Sequence, residues 1–406
     1  MSEETNKLKY WKKEIVKFLT GQTISLFGSF LVQYAIVWYI TLETKSGIMA
    51  TVSILVSFLP QVFISVFAGV WADKYNKKKI IIFSDSMTAL STLILAILFF
   101  CGIRYMWLIF LISAIRSFCS GIQMPAVNSF IPELVPENKL MQTNGINSTI
   151  QSIMMVICPV LSGALLAVSN SKLEYIFFID VITAVIGIGL TYTVKYHYKK
   201  HEMKETSNIN DLKEGLKYLI NHKTVKKLLI FYAVLSLFFA PIAFLTNLMV
   251  TRTFGDEVWR LTVNETVFGI GCVIGGIIIS SWGGFKNRIT TIIFSCFSFG
   301  ILSVAIGFSN IFIIYLSFMF LSGIVMPFFN ASSIVYFQEN VEQEMLGRVF
   351  SFVQIVTMIS MPIGMIFFGP LADIIKIEYI MIISGILTML VSTIMYLDKT
   401  FKTHCS

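Results

Sequence analysis

Long apolar runs alternate with short polar segments along almost the whole chain. A helix needs about 20 mostly apolar residues to cross the ~30 Å hydrocarbon core of a bilayer, because it rises only ~1.5 Å per residue. Twelve runs of that length occur, each bounded by charged or turn-forming residues. Their approximate limits are 15–41, 48–72, 80–101, 106–131, 142–168, 175–196, 226–250, 262–282, 289–308, 310–334, 348–370 and 377–397. The pattern predicts an all-α integral membrane protein with twelve transmembrane helices.

The basic residues lie mostly on one side of the predicted membrane. If the N-terminus is cytoplasmic, 24 of the 31 Lys and Arg residues lie on the cytoplasmic side, six lie outside, and Arg116 lies within a span. Cytoplasmic loops carry an excess of Lys and Arg. The distribution predicts a multi-pass protein of the cell (inner, cytoplasmic) membrane with both termini cytoplasmic. The long apolar run after the basic N-terminus lacks a small-residue cleavage site, so we interpret it as an uncleaved first span.

A short sequence in the fourth span returns in the tenth. GIQMPAVN at 121–128 and GIVMPFFN at 323–330 match at five of eight positions, 202 residues apart in a chain of 406. A similar correspondence links Pro159 in the fifth span with Pro362 in the eleventh. Parallel repeats of this kind form one class of secondary transporter. The spacing predicts two halves of six helices each, with the same orientation.

The predicted halves are residues 1–196 and 226–406, and residues 197–225 form a cytoplasmic linker between them. Four apolar residues of the linker recur at helical spacing: Leu212, Leu216, Leu219 and Ile220. This spacing predicts a short amphipathic helix on the inner membrane surface.

Composition agrees with a membrane protein and argues against several other classes. Hydrophobic residues make up 56% of the chain and charged residues 13%. The net charge of +8 would suit a nucleic-acid partner only if the basic residues shared one solvated face. They lie instead in short loops, so we expect no nucleic-acid partner. The six cysteines include no CxxC pair, and we interpret them as apolar packing residues.

The chain also lacks the motifs of a pump or an intramembrane enzyme. No GxxxxGK[ST] element is present, so no nucleotide site is predicted. All four histidines lie in predicted cytoplasmic loops or the tail: His197, His201, His222 and His404. We therefore expect no catalytic residues, no cofactor and no metal site. Secondary transport of a small molecule is the function that these features favour.

Charged residues within the spans are candidates for proton coupling. Arg116 is about ten residues into the fourth span, ~15 Å deep, where a charge costs at least ~2.5–3.5 kcal/mol and needs a polar partner. Asp180, about five residues into the sixth span from the outside, is our preferred protonation site. Asp85 lies about as far into the third span from the cytoplasm, and we expect it to join the loop lysines. Glu265, at the outer start of the eighth span, is a weaker candidate. It could equally be an ordinary carboxylate at the membrane interface.

Five polar residues inside apolar helices are candidates for lining a substrate cavity: Gln22, Ser25, Gln33, Gln151 and Gln354. Hydrogen bonding between helices is at least as good an interpretation of such residues.

The loop after the second span carries a family resemblance. It reads GVWADKYNKKK from Gly69 and resembles the signature loop of the major facilitator superfamily: a Gly, three residues, an acid, a base, and a second Gly before further bases. Asn76 replaces the second Gly, and Asn also tolerates a left-handed turn. An ordinary cytoplasmic loop would explain only the lysines. The resemblance implies a conformational latch made of the matching residues Gly69, Asp73, Lys74, Lys77 and Lys78.

The fifth span contains CPVLSG from Cys158. It resembles the Gly-Pro-x-x-Gly-Gly motif of the antiporter branch of this superfamily, with Pro159 and Gly163 at matching positions. In the family this segment is thought to limit leak, and a Pro kink with small residues allows close helix packing.

Four longer segments resemble the macrolide efflux (Mef) proteins of the drug:proton antiporter branch. They are LTGQTISLFGSFLVQYAI, FSDSMTAL, AIRSFCSGIQMPAVNSFIPELVPE and MLGRVFSFVQIVTMISMPIG, in the first, third, fourth and eleventh spans. The resemblance implies the major facilitator fold and proton-coupled efflux of amphipathic small molecules, macrolide-type or other antibiotics among them. In that superfamily an Arg at the position of Arg116 is associated with proton coupling.

We expect the partners to be a small-molecule substrate, the proton and the lipid bilayer, with the chain acting as a monomer. The sequence leaves open whether a separate ATP-hydrolysing protein assists. Two other functions also stay open. One is export of an endogenous siderophore or lipid-like metabolite, and the other is a membrane sensor that keeps the fold but does not transport.

Overall fold

A computed structural model describes residues 3–169, 172–195, 217–219, 221–398 and 401. Thirteen helices have both ends within these ranges, and no strand occurs there. The helices are α1 (Glu3–Thr44), α2 (Gly47–Lys74), α3 (Lys77–Phe100), α4 (Met106–Leu134), α5 (Glu137–Val168), α6 (Leu173–Thr193), α7 (Lys223–Phe244), α8 (Thr246–Thr253), α9 (Val258–Trp282), α10 (Arg288–Gly307), α11 (Phe312–Asn340), α12 (Gln343–Ile374) and α13 (Ile377–Leu397).

Twelve segments of these helices are long and apolar enough to cross a membrane. The helices α7 and α8 form a single span, Thr224–Thr253, which is interrupted at Leu245. Pro241 lies one turn before the interruption, and a proline inside a helix removes a hydrogen-bond donor and kinks the backbone. The predicted all-α, twelve-span architecture is confirmed, with the seventh span broken near its end.

The chain divides into two compact units. Unit 1 comprises Met1–Ile40 and Val52–Met203, and unit 2 comprises Thr41–Thr51 and Lys204–Ser406. The end of α1 and the start of α2 therefore group with unit 2. Most of the predicted linker helix lies outside the described residues, but Leu219 is described and is buried.

In unit 1, helix α3 packs against both α4 and α6. The helices α1 and α6 approach closely through Gly21 and Gly187, because a Cβ atom on either residue would lie within 3 Å of the other residue's carbonyl oxygen. Below these contacts an apolar cluster forms around Phe18 and Phe130, whose rings meet edge to face at 5.0 Å. Small residues thus bring the polar positions of α1 and α6 together.

Unit 2 is built in a related way. Helix α10 packs on α11 and α13, α9 packs on α11, and α7 packs on α12 and α13. Gly300 of α10 and Gly385 of α13 approach as Gly21 and Gly187 do in unit 1, each close to the other's carbonyl oxygen. Close helix contact in both units therefore depends on pairs of glycines.

The sequence repeat marks the same packing contact in each unit. A Cβ atom on Gly121 of α4 would lie 2.6 Å from the carbonyl oxygen of Gln61 on α2. A Cβ atom on Gly323 of α11 would lie 2.3 Å from the carbonyl oxygen of Phe268 on α9. In each half the fourth span thus packs on the second through the glycine that opens the repeated sequence.

Candidate functional site

Arg116 and Asp180 form an ion pair inside unit 1. Nη1 of Arg116 lies 2.5 Å from Oδ2 of Asp180, and the two side chains are only 11% and 1% exposed. We selected the two residues separately, from α4 and α6, and the structure shows that they are partners. An Arg within the membrane needs such a partner, because an isolated charge there is costly.

Two further helices complete the surroundings of this pair. Arg116 also donates to the hydroxyl of Thr92 on α3, and Ser29 on α1 donates to Oδ1 of Asp180 at 3.3 Å. Gly28 allows α1 to come this close, because a Cβ atom there would lie 2.8 Å from Cα of Asp180. Four helices therefore meet at one ion pair.

Asp85 lies in a network of amides rather than lysines. Nε2 of Gln123 donates to one carboxylate oxygen at 2.5 Å, and Nε2 of Gln22 donates to the other at 3.4 Å. Gln123 also donates to Oε1 of Gln22 at 3.2 Å, and Ser25 hydrogen-bonds to the same carboxylate. This contradicts our expectation that Asp85 joins the loop lysines, because its partners come from α1 and α4.

The ion pair between Arg116 and Asp180 and the amide network around Asp85 form one group, the unit 1 polar cluster. Its members with polar side chains are Gln22, Ser25, Ser29, Asp85, Thr92, Arg116, Gln123 and Asp180. Asp85 and Asp180 lie within electrostatic reach of each other. With both aspartates ionised the cluster carries one excess negative charge, and uptake of a single proton would neutralise it.

A second polar group, the unit 2 polar cluster, consists of Asn247, Asn264, Glu265 and Tyr315. Nδ2 of Asn247 donates to Oε1 of Glu265 at 2.8 Å, and Asn264 donates to Oδ1 of Asn247 at 3.1 Å. The hydroxyl of Tyr315 donates to Oδ1 of Asn264 at 2.8 Å. Glu265 lies seven residues after the start of α9 and shares this network with buried residues, and its interpretation as an interfacial carboxylate stays a prediction.

Sequence reasoning missed Asn247, Asn264 and Tyr315. The two asparagines lie within apolar runs, FLTNLMV and LTVNETV, which is the same signal that drew attention to the glutamines. The interruption after α7 places Asn247 in the first turn of α8. Tyr315 carried no such signal, because tyrosines are common in membrane helices.

The remaining cavity candidates lie elsewhere. Gln33, Gln151 and Gln354 are exposed and are not members of either polar cluster, so their role in a cavity stays a prediction. Gln22 and Ser25 are buried and make the interhelical hydrogen bonds described above, which was the alternative interpretation.

The signature loop is described only in part. The surroundings of Gly69 and the side chains of Asp73 and Lys74 lie outside what the structure describes. Lys77 pairs with Glu133 of α4 at 2.6 Å, and Lys78 donates to backbone carbonyls at the end of α6.

Asn76 does not adopt the left-handed turn that we considered for it. Its φ of −64° and ψ of 109° are extended, and its side chain accepts a hydrogen bond from the backbone N–H of Lys79. Asn76 is therefore the N-cap of α3, a position that asparagine favours.

The antiporter-like segment packs α5 against α1. Pro159 and Gly163 are both buried within α5. Between them, Ser162 donates to the carbonyl oxygen of Leu31 on α1 at 3.1 Å. The small residues at this position thus support close helix contact within unit 1.

Five cysteines in the described part of the chain are free thiols. No group of three or more His, Cys, Asp or Glu residues there is placed to hold a metal ion.

Residues 12–404 match a family model described as transmembrane secretion effector. The chain is 29% identical to macrolide efflux protein A of Streptococcus pyogenes, over 96% of both chains. It is 22% identical to the staphyloferrin A transporter of Staphylococcus aureus, over 93% of this chain and 94% of that protein.

Solved structures show the same fold at low sequence identity. A bacterial homologue of the human lysosomal transporter Spinster, in an inward-facing and unoccupied conformation, aligns with a TM-score of 0.73 at 12% identity, over 97% of this chain and 98% of that one. The nucleoside transporter NupG aligns with a TM-score of 0.68 at 16% identity, over 96% of this chain and all of that one. At these identities the likeness concerns the fold alone.

Proposed function

The chain belongs to the transmembrane secretion effector family of major facilitator transporters, and it is a multi-pass membrane transporter rather than an enzyme. From this membership we propose that it exports amphipathic small molecules in exchange for protons. Macrolide-type antibiotics are the first substrate class to test, because the relative from Streptococcus pyogenes is named for macrolide efflux. We place the protein in the cell membrane with both termini in the cytoplasm, on the distribution of its Lys and Arg residues.

The ion pair between Arg116 and Asp180 is the observation that carries this proposal. Protonation of Asp180 would make that carboxyl group neutral and remove its attraction for Arg116. The charge of Arg116 would then be balanced by Asp85, the other carboxylate of the cluster. A proton thus changes the charge of the unit 1 polar cluster and removes the ion-pair partner of Arg116, which is how proton binding could favour one conformation over another.

The energy available from such an exchange suits an exporter. Each proton that enters brings ~2.3 kcal/mol per 100 mV of membrane potential. A tenfold substrate gradient costs ~1.4 kcal/mol. One proton per cycle of alternating access therefore supports an outward gradient of one or more decades. The chain would act as a monomer, without nucleotide hydrolysis of its own.

The direct test is accumulation of a labelled macrolide in cells that express the chain, with and without a protonophore. We expect lower accumulation than in control cells, and we expect the protonophore to abolish the difference. The Asp180→Asn variant should lose protonophore-sensitive efflux, whereas Asp256→Asn, which removes an exposed acid, should keep it. Efflux that survives both the protonophore and Asp180→Asn would refute proton coupling through the unit 1 polar cluster.

A siderophore is the second candidate substrate, because one relative is named as a staphyloferrin A transporter. The same assay with a labelled siderophore or lipid-like metabolite separates this function from drug export. If no compound in the panel moves, a membrane sensor without transport becomes the better interpretation.

A further inference from the structure

Glu265 lacks the basic partner that Asp180 and Glu174 have, and unlike Asp85 it accepts a hydrogen bond from a single amide. Asp180 pairs with Arg116, and Glu174 pairs with Arg104. Among the residues that the structure describes, Asn247 is the one hydrogen-bond partner of the Glu265 carboxylate, and no Lys, Arg or His forms an ion pair with it. Its side chain is partly buried.

The network around Glu265 points in one direction. Tyr315 donates to Asn264, and Asn264 donates to Asn247. Asn247 in turn donates to Oε1 of Glu265. Every hydrogen bond in the series therefore supports negative charge on the carboxylate. Oε2 takes no part in the series and is free to accept from a ligand.

A positive charge from outside the chain would stabilise a carboxylate in this setting, because a partly buried charge without a basic partner is costly. A metal ion would require several oxygen ligands, but the side-chain oxygens of Asn247 and Asn264 already accept hydrogen bonds. One open carboxylate oxygen suits a single N–H donor. The ring of Tyr315 is fully buried against those of Phe254 and Phe312, which holds the first donor of the series in place.

We propose that Glu265 binds the protonated amine of an amphipathic substrate. The ammonium N–H donates to Oε2, while the amide series holds the carboxylate in place through Oε1. This inference rests on the proposed export function and assigns its substrates to a chemical class, the lipophilic amines. The proton and the substrate then bind at different acids, one in each unit.

The test compares a lipophilic tertiary amine with a neutral amide analogue of the same size, in inside-out vesicles energised with a proton gradient. We expect Glu265→Gln to lower transport of the amine by about 10- to 100-fold, the worth of a charged hydrogen bond. Transport of the neutral analogue should change by less than about twofold, a free-energy difference near 0.4 kcal/mol. Glu265→Asp, which keeps the charge with a shorter reach, should retain part of the amine transport.

The matched control is Glu257→Gln, because Glu257 is an exposed acid paired with Arg260 at the start of the same helix. It should leave both compounds unaffected. Equal loss of both compounds in Glu265→Gln would overturn the inference and indicate a proton carrier or a structural role. Unchanged transport of both would overturn it as well. If the unmodified protein transports neither compound, the proposed export function itself fails.

Asp373, in the last turn of α12, carries a second and independent inference. Its carboxylate accepts hydrogen bonds from the backbone N–H groups of Gly47 at 2.7 Å and Ile48 at 2.9 Å, and from the hydroxyl of Ser46 at 2.8 Å. These N–H groups belong to the first turn of α2, where a helix favours a negative charge. Nη2 of Arg252 adds an ion pair to the same carboxylate at 2.7 Å.

The surrounding contacts are unusually close. A Cβ atom on Gly47 would lie 2.0 Å from the carbonyl oxygen of Gly369. The hydroxyl of Thr51 donates to the carbonyl oxygen of Met365 at 3.0 Å. Arg252 also donates to backbone carbonyl oxygens on both sides of the contact. The segment Thr41–Thr51 groups with unit 2 because of these contacts.

The sequence at Asp373 repeats that of the signature loop. GPLAD at 369–373 has a Gly, three residues and an Asp, as does GVWAD at 69–73. Each Asp lies at the C-terminal end of its helix. In the proposed orientation α2, which is the second span, ends at the cytoplasmic face. Helix α12 is the eleventh span, because α7 and α8 share one span, and it ends at the outer face. The two sequences are therefore at opposite sides of the membrane.

The geometry points to a latch at the outer face, in which Asp373 holds the first turn of α2 in one of the alternating states. We name the residues Ser46, Gly47, Ile48, Arg252 and Asp373 the outer latch. To release the latch, the N–H groups at the start of α2 and the guanidinium of Arg252 must give up their hydrogen bonds to the Asp373 carboxylate and form hydrogen bonds with water instead.

The outer latch is tested by the reactivity of a buried residue next to it, Thr51, one turn further along α2. Thr51 is 5% exposed, so Thr51→Cys should react slowly with a membrane-impermeant maleimide, as followed by peptide mass spectrometry. Adding Asp373→Asn should raise the labelling rate by about tenfold, because the neutral amide loses the charged contacts. The matched control is Asp256→Asn, a nearby exposed acid that pairs with Lys45, and it should leave the rate unchanged. An unchanged rate in Asp373→Asn, with a normal elution profile in detergent, would overturn the latch.

Discussion

The two polar clusters differ in how they balance charge, although the two units share their helix packing. In unit 1 the buried acid Asp180 meets a basic side chain of the same unit, Arg116. In unit 2 the acid Glu265 accepts one hydrogen bond, from the end of a series of neutral groups, and forms no ion pair with a basic side chain in the described part of the chain. We proposed proton coupling for the cluster that contains its own cation, and binding of a cationic substrate for the cluster that lacks one. Two halves with a common fold can thus divide coupling and recognition between them.

Removing the cation from unit 1 should have the largest effect. Arg116→Met leaves Asp180 and Asp85 without a counter-charge, and breaking a buried pair in this way costs ~3–5 kcal/mol. We expect loss of protonophore-sensitive efflux and a lower thermal midpoint in detergent. The double variant Arg116→Met with Asp180→Asn should recover most of the stability but none of the coupling. A single variant as stable as the unmodified protein would show that the ion pair does not account for the difference between the two clusters.

A change in helix packing tests whether the unit 1 cluster depends on close approach of α1. A Cβ atom on Gly28 would lie 2.1 Å from Oγ1 of Thr183 and 2.8 Å from Cα of Asp180. Gly28→Ala should therefore cost ~1–3 kcal/mol through overpacking and should weaken proton coupling without altering the preference for amines. Gly189→Ala is the matched control, because a Cβ atom on this residue of α6 would point into open space, with no neighbouring element within 4 Å. Equal unfolding midpoints for the two variants would contradict this account.

The series of donors in unit 2 should respond to a single missing hydroxyl. Tyr315→Phe leaves Oδ1 of Asn264 without its donor in a buried site, which costs ~1–3 kcal/mol when the group stays unsatisfied. We expect reduced stability and a weaker preference for the amine over its neutral analogue. Proton coupling, measured as protonophore-sensitive transport of the neutral analogue, should persist. A loss of coupling in this variant would show that the two clusters do not have separate roles.

An exposed ion pair gives the smallest effect and sets the baseline for the buried ones. The hydrogen bond from Lys45 lowers the pKa of the exposed Asp256 below its ordinary value. Because the folded-state pKa is lowered, the stabilisation is present above the ordinary pKa of an Asp, about 3.9, and is lost as the pH falls through the lowered value. Thermal midpoints of the unmodified protein and Asp256→Asn should differ only slightly at neutral pH and should converge in acid. A large difference in thermal midpoint at neutral pH would mean that burial does not decide how much an ion pair stabilises this protein.

Sequence reasoning reached different depths for the fold and for the site. The twelve spans follow from hydropathy and length, and all twelve are present. The residues Arg116, Asp180 and Glu265 stood out because charges inside apolar runs are costly. Asp85 also stood out, but its predicted neighbours were wrong. The position of Asp85 along α3 suggested the loop lysines, whereas the direction of its side chain brings it to Gln22 and Gln123.

The sequence by itself determined the number of membrane spans, the repeat and the identity of the costly charges, since each of these depends on residue type and on distance along the chain. Only the tertiary structure decided which polar groups meet. Arg116 and Asp180 are 64 residues apart, and Lys45 and Asp256 are 211 apart. Such pairings depend on how each helix is rotated about its axis. Helices that are apolar on nearly every side carry little periodic signal for that rotation, so close packing at small residues and the pairing of buried polar groups decide it.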